Sequence, residues 1–381
     1  MMNFTLTPEQ QLLQSATRGF AKQHLESTAS SREKAHSIGH DVIRQLAQQG
    51  LLGVNVDEAL GGAEAGVVAY AVALREIAAA DASVAVTMAV TNMVAEVISK
   101  FGSDAQRRQY VPKLTSGEYF GGAFALSEPG AGSDVAGMTT KAEPDGEGWV
   151  LNGQKMWITT GDLAGVVVVW ARTGQEGHRD ISCFLVEQGT AGMVAGKPEE
   201  KMGLRASHTV ALTFDNVKLP ATALLAKSGE GFRIAMTALN GGRIGIASQA
   251  LGIAWRALEV ASQHVKQRQQ FGKTLANFQA IQFKLADMGT QLDAAWLLIL
   301  RAAWLKEQGE DFVQEAAMAK VFASETANRV VRAAVQILGG YGYMEEGLVA
   351  RLYRDCRVTQ IYEGTSEIQR LVIARMLLKA A

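Results

Sequence analysis

The stretch "WVLNGQKMWIT", residues 149–159, divides the chain into regions of different periodicity. Its apolar and aromatic side chains fall in short runs about Asn152-Gly153, a pair that signals a two-residue turn between antiparallel strands. Downstream, "GVVVVWA" (165–171), "ISCFLVE" (181–187) and "TVALTFDNVKL" (209–219) continue as brief apolar or alternating segments punctuated by Gly and Asp. This spacing predicts a small antiparallel barrel or sandwich.

Both flanks read as helical. Thr7, Pro8 and Gln10 form a start signal in which Thr7 caps, Pro8 supplies a pre-set φ and Gln10 reaches back as in a capping box. Leu12, Leu13, Ala16 and Phe20 follow at helical spacing. Further helices fit residues 41–50, 66–80 and 83–101, around the Gly-punctuated connection at 50–66. Beyond residue 229, the segments 243–270, 278–308 and 312–338 are long enough for antiparallel bundle helices. The expected order is mainly α with a central β domain: an N-terminal helical domain over 1–120, the β domain over 121–228 and a C-terminal four-helix bundle over 229–381. No repeat or low-complexity tract marks a separate module.

With 381 residues, 48% hydrophobic and 20% charged, the chain has apolar surface for more than one core. A formal net charge of −1 argues against a broad basic face for nucleic acid. Cys183 and Cys356 cannot build a disulfide framework, and no CxxC or Cys/His cluster offers zinc ligands, so a reducing compartment and no metal are expected. The start "MMNFTLTPEQQLLQ" lacks the features of a signal peptide. Purely apolar runs such as "VVVVWA" (166–171) fall far short of the ~20 residues of a membrane span. These features predict a soluble, cytoplasmic protein with neither a nucleic-acid nor a membrane partner.

Five segments could carry chemistry. In "FALSEPGAGSDVAG" (124–137), Pro129, Gly130 and Gly132 exclude a helix and free backbone N–H groups for an anion or cofactor, unless the segment is an ordinary turn. It is not a P-loop, and no GxGxxG fingerprint follows a strand anywhere, which argues against a nicotinamide-binding Rossmann domain. "KMWITTG" (155–161) ends a strand with an aromatic and two hydroxyls, suited to a flat heteroaromatic ring or to a core tryptophan. In "RQQFGKTLANFQAIQ" (268–282), Gly272 interrupts two helical patterns, with Arg268 either a ligand contact or a dipole-compensating charge. "QILGGYGY" (336–343) ends a helix with two glycines where a C-cap needs one. In "VTQIYEGTSEIQRL" (358–371), Glu363 is either a first-turn helix acid or a base held in place by something upstream.

Taken together, "ALSEPGAGSD", "LNGQKMWIT", "RQQFGKTLANFQ", "GGYGY" and "RDCRVTQIYEGTSEIQ" give a chain that resembles the acyl-CoA dehydrogenases over essentially its full length, closest to their short-chain or short branched-chain branch. The resemblance implies the same helical, β-barrel and four-helix-bundle domains, with FAD between barrel and bundle. It implies flavin contacts from Phe124, Leu126, Ser127, Gly132 and Ser133, from Trp157, Ile158 and Thr159, and from Thr365, Ser366 and Glu367. Arg268, Phe271, Gln279, Gln336, Leu338, Gly339 and Gly340 match positions that hold the ADP half of FAD across a dimer interface. Ser133, Asn240, Arg243, Gln249, Thr359 and Gly364 match substrate positions. Gln249 and Thr359 are those that shorten the acyl pocket.

Glu363 matches the catalytic base of the branch with a Tyr-Glu-Gly-Thr setting. Another branch places the base immediately before the arginine that matches Arg243, where this chain has Gly242. The resemblance thus implies that Glu363 takes the α proton of an acyl-CoA thioester while flavin N5 accepts the β hydride. A free Glu, with a pKa of about 4.3, is a weak base for a carbon acid, and burial would raise it. The thioester oxygen would be polarised by the Glu363 N–H and a ribityl hydroxyl. The implied partners are an electron-transfer flavoprotein and a homotetramer built as a dimer of dimers. Asn240 in place of a frequent Asp, and "MEEGLVARL" (344–352) in place of a Pro-containing segment, depart from the family pattern. The alternatives are an acyl-CoA oxidase-like or nitroalkane-oxidising relative, and a flavin-bearing scaffold without turnover.

Overall fold

The computed structural model describes residues 5–174 and 177–379; residues 1–4, 175–176 and 380–381, including the outer ends of the first and third expected domains, lie outside the described residues. The chain opens with helices α1 (Pro8–Phe20), α2 (Ala29–Ala35), α3 (His40–Gln48), α4 (Val67–Ala80), α5 (Ala82–Phe101) and α6 (Asp104–Thr115). Thr7 caps α1 with the box that its sequence predicts: Thr7 Oγ1 accepts from the Gln10 N–H and the Gln10 side chain accepts from the Thr7 N–H. Ser103 and Gln106 repeat this box at α6, a helix missing from the sequence expectations. At α5, Asp81 Oδ1 accepts from the Ser83 and Val84 N–H groups, which satisfies donors that a helix start leaves open. By length and composition α5 could cross a membrane, but 89% of its most apolar window is packed inside the protein, so it is a core helix.

Strands β1 (Gly122–Ala125), β2 (Lys141–Asp145), β3 (Gly148–Thr159), β4 (Val166–Arg172), β5 (Ile181–Glu187), β6 (Met193–Ala195), β7 (Thr209–Leu219) and β8 (Leu224–Leu225) form one sheet. Its order is β6-β7-β3-β2-β4-β5-β8, with β1 on β4. Pairing is antiparallel except where β1 and β2 meet β4. Val166, Val168 and Trp170 of β4 pack into the helical core, whereas Val167, Val169 and Ala171 pack into a second core on the other face. Burial on both faces explains the uninterrupted apolar run.

The Asn152-Gly153 turn is corrected by the structure. β3 runs straight through it, and the β2–β3 hairpin lies upstream at Gly146-Glu147, with Asp145 paired to Gly148. Gly153 instead marks a register shift against β7 at φ 146°, and a Cβ there would lie 2.6 Å from Thr140 Oγ1. The glycine therefore serves a bulge and a close approach within the sheet.

After the sheet come α7 (Gly231–Gln267), a ribbon of β9 (Gln269–Gln270) and β10 (Lys273–Thr274), then α8 (Gln279–Glu307), α9 (Val313–Leu338), α10 (Gly340–Tyr343), α11 (Leu348–Cys356) and α12 (Ser366–Lys379). α9 packs against α7, α8 and α12, while α4 and α5 lie on α7. The helices before and after the sheet thereby share one continuous core.

Candidate active site

A 3-10 turn, Arg357–Gln360, follows α11, and α12 begins only at Ser366. Glu363 therefore stands ahead of the helix, and the first-turn acid of α12 is Glu367. Thr365 Oγ1 accepts from the Ile368 N–H at 3.4 Å. Both Glu363 and Gly364 have positive φ, 55° and 85°. That conformation is costly for a glutamate and persists only when neighbours impose it. Here Gln369 Nε2 donates to the carbonyls of Glu363 (3.1 Å) and Gly364 (2.9 Å), and Lys320 Nζ donates to the Gly364 carbonyl at 2.6 Å. The Glu363 N–H donates to no group among the described residues.

The carboxylate faces α7. A Cβ built on Gly242 would lie 2.7 Å from Glu363 Oε2 and 3.3 Å from Met93 Sδ. A side chain at position 242 would thus compete for space with the Glu363 carboxylate. Oε2 is shielded from solvent and has no hydrogen-bond partner among the described residues. Burial pushes the Glu363 carboxyl up to about 7, with Arg243 and Lys320 opposing. Arg243 is buried, its Nη1 donates to Asn240 Oδ1 at 2.8 Å, and its Nε has no partner among the described residues. Burial draws this guanidinium down and the Glu363 charge opposes it. Thr91 Oγ1, Ser366 Oγ and Gln369 Oε1 are also shielded and unpartnered among the described residues. Such atoms cost free energy unless a ligand completes them.

Next to the base, the Tyr362 hydroxyl donates to Gln249 Oε1, and Gln249 Nε2 donates to the Ala82 carbonyl at 2.9 Å. Thr359 is fully buried, and its hydroxyl donates to the Cys356 carbonyl at 2.7 Å. Gln249 is therefore tied to the Glu363 segment, while the polar end of Thr359 is turned to its own backbone.

A second group gathers on the sheet. The Met156 N–H donates to the Ser127 carbonyl at 2.9 Å, which joins the two stretches expected to line a flavin. Trp157 has φ 64° and remains 59% exposed despite its size. Gly132 is exposed, and a Cβ there would meet nothing within 4 Å. No protein atom demands that glycine, so the open space in front of it suits a close ligand. The Ile158 and Leu126 side chains are buried in cores, and the Phe124 ring packs on Trp170 at 4.2 Å. Ile158 and Leu126 could serve a ligand only through their backbone. An exposed aromatic and a glycine in open space fit a flat heteroaromatic cofactor.

The third group is an open cleft of about 450 Å³ lined by Arg268, Leu338, Gly339 and Gly340 together with His264 and Tyr341. The Arg268 guanidinium lies 5.9 Å from the Tyr341 ring centroid. Phe271, Gln279 and Gln336 are exposed and do not line this cleft. Phe271 is 93% exposed at φ 53°. Ser133 is likewise exposed on its loop.

Sequence reasoning passed over three polar groups that shape these sites: Lys320, Gln369 and the Glu128–Lys155 pair. For Lys320 a signal existed. It shares a helical face with Ala316, Ala323 and Ala327, all buried, so its charge falls on the core stripe of α9.

Comparison with known proteins matches the acyl-CoA dehydrogenase N-terminal domain to residues 7–118, the middle domain to 123–217 and the C-terminal domain to 229–378. A short-chain specific acyl-CoA dehydrogenase, mitochondrial, of Bos taurus is 48% identical over 97% of this chain and 90% of its own length. A solved structure described as an electron transferring flavoprotein of Acidaminococcus fermentans superposes with a TM-score of 0.97 and 41% identity, covering 99% of this chain and 100% of that one. A glutaryl-CoA dehydrogenase of Mycobacterium smegmatis in complex with FADH2 superposes with a TM-score of 0.94 and 32% identity, over 98% and 95% of the two chains.

Proposed function

Because the chain belongs to the acyl-CoA dehydrogenase family, an oxidoreductase family, we propose that Glu363 is the base of its α,β-dehydrogenation of an acyl-CoA thioester and that FAD is its cofactor. The observation that carries this reading is the shielded, unpartnered Oε2 of a carboxyl raised to about 7, held in a left-handed turn. Such a carboxylate is a stronger base than a solvated one and has no proton donor competing for it. Bound FAD supplies the acceptor for the β hydrogen, as a hydride at N5. The groups that would hold it are Ser127, Trp157, Thr159 and Ser366, with Arg268 and Leu338–Gly340 at the adenosine end.

Glu363 takes the α proton from one face of the substrate. Its own N–H, free of protein partners among the described residues, is aimed at the thioester oxygen as enolate charge develops there. Arg243, steadied by Asn240, seats the CoA side. Gln249, bridged between Ala82 and Tyr362, closes the acyl pocket and favours a short or short branched chain. An electron-transfer flavoprotein as acceptor and a homotetramer complete the reading; the likeness to a flavoprotein structure and the exposed Phe271, Gln279 and Gln336 support these two points in turn. Cys183 and Cys356 are buried free thiols, in keeping with a reducing, cytoplasmic setting.

The test is anaerobic bleaching of the flavin by a panel of acyl-CoAs. Short straight and short branched chains should bleach fastest, and reoxidation should be slow with oxygen but fast with an electron-transfer flavoprotein. Rapid reoxidation by oxygen would favour an oxidase, and a panel without bleaching a scaffold.

Gly242 offers a second test. In the interior of α7, Gly→Ala should stabilise the helix by roughly 0.5–1 kcal/mol. Its Cβ would also push the Glu363 carboxylate from its place, 2.7 Å away. Gly242→Ala is expected to melt no lower than the parent yet reduce its flavin at least ~10-fold more slowly, because small misplacements of a reacting group are expensive. Parental reduction rates would show that the carboxylate does not depend on this contact.

A further inference from the structure

Lys320 sits in the middle of α9 with no exposed surface, on a face shared with the buried Ala316, Ala323 and Ala327. Its Nζ makes one hydrogen bond to a protein group among the described residues, to the Gly364 carbonyl at 2.6 Å. A buried ammonium with one neutral acceptor is a poor stabilising device, since an apolar side chain of similar volume fills the same space without a desolvation cost. What distinguishes its position is the residue it holds. The Glu363 and Gly364 carbonyls both meet the Gln369 amide, and Lys320 closes on the second of them.

We propose that Lys320 is a positioning residue for the reaction: with Gln369, it clamps the two successive carbonyls of the left-handed Glu363–Gly364 turn, and so aims the Glu363 carboxylate and N–H at the substrate. This rests on Glu363 being the base. The clamp acts on the backbone carbonyls and makes no hydrogen bond to the Glu363 carboxylate. It also keeps one positive charge beside a carboxylate that must ionise in a dry site. The charged groups bearing on Lys320 are Glu363, Arg243 from α7, Glu367 from α12 and Glu325 from its own helix. Burial draws Lys320 down to about 8, and Glu363 is the largest of the charges opposing that. In return, Lys320 limits how far Glu363 rises.

The variant is Lys320→Met in the FAD-loaded enzyme, with Lys320→Gln beside it to restore a donor without the charge. Lys320→Met should bind flavin as the parent does and melt no lower. It should lose about 10- to 100-fold in kcat with KM changed less than roughly threefold, because orientation is lost and binding is not. The acid limb of its kcat profile should move to higher pH, since a positive charge near the base is gone. Lys320→Gln should recover part of the rate without restoring the limb. In a Glu363→Gln background the methionine should add less than about twofold, as residues that act as a unit are not additive. A Lys320→Met enzyme with parental kcat and an unmoved acid limb would overturn the proposal, and so would a rate loss that only follows lost flavin or lost folded protein. If Glu363→Gln alone keeps its activity, the base assignment fails instead, and the single variants record that separately.

Discussion

Glu363→Gln is expected to bind FAD and acyl-CoA as the parent does and to slow flavin reduction by at least ~10² to 10⁴ fold. The amide preserves the size of the side chain and leaves the backbone turn, with its clamp from Gln369 and Lys320, undisturbed. What it removes is the ionisable carboxylate, the basic group that takes the α proton. The pH profile gives a second reading of the same group. Burial raises the Glu363 carboxyl to about 7, so the ionised base accumulates as pH rises through that value. The parent's kcat/KM should rise with pH across the same range, and in Glu363→Gln that limb should disappear. Stability should move the other way. A carboxyl whose folded pKa is raised contributes stability that is full below its unfolded value of about 4.5 and is lost as pH climbs through about 7. Glu363→Gln should therefore melt above the parent at about pH 8, with the gap narrowing toward pH 5. Stopped-flow reduction and thermal melts across pH check both. Near-parental reduction by the variant would remove Glu363 from its role.

The role of Glu363 illustrates which features the sequence makes legible. Locally, an acid before "GTSEIQ" has two readings, and only the start of α12 at Ser366 separates them. Joined to the other segments, the same acid becomes the base expected from family resemblance. The order of helices, sheet and helices was legible because each region keeps its own period over long stretches. Asn152-Gly153 misled because a hairpin signal and a bulge use the same conformational freedom of glycine, and only Thr140 across the sheet tells them apart. Helix α6 escaped because its residues carry almost no apolar periodicity, although Ser103 and Gln106 form as good a box as Thr7 and Gln10. Lys320 and the Glu128–Lys155 pair were hidden for another reason. A charged residue in a helix or strand is ordinarily solvated. Its burial depends on which elements pack over it, which no local pattern reports.

Lys155→Met should destabilise the folded protein by about 3–5 kcal/mol and loosen its flavin. Lys155 is fully buried in β3, and its Nζ donates to Glu128 Oε1 at 2.8 Å and to the Leu126 carbonyl at 3.1 Å. Glu128 also accepts from the Thr139 N–H (2.6 Å), the Thr139 hydroxyl (2.9 Å) and the Thr140 N–H (3.0 Å). One carboxylate thus closes the whole 126–140 loop onto the strand that carries Trp157. Burial alone would raise the Glu128 carboxyl, but the Lys155 charge and these donors outweigh it and hold it at about 2. Burial draws Lys155 down to about 8 against the Glu128 charge, so both partners are ionised at neutral pH. Removing the lysine leaves an interior carboxylate without the charge that offsets its burial, and the loop must open to hydrate it. The depressed carboxyl gives stability that is present above its unfolded value of about 4.5 and is lost as pH falls through about 2, and most of this contribution should be missing from Lys155→Met. A second substitution separates charge from packing. Lys155→Met with Glu128→Gln removes the buried charge and keeps one acceptor oxygen, enough for the Thr139 N–H and hydroxyl, so it should recover part of the loss in a double-mutant cycle. Urea unfolding and flavin content are the measurements. A single variant that unfolds at the parental midpoint with full flavin would mean that the loop is held by its backbone alone.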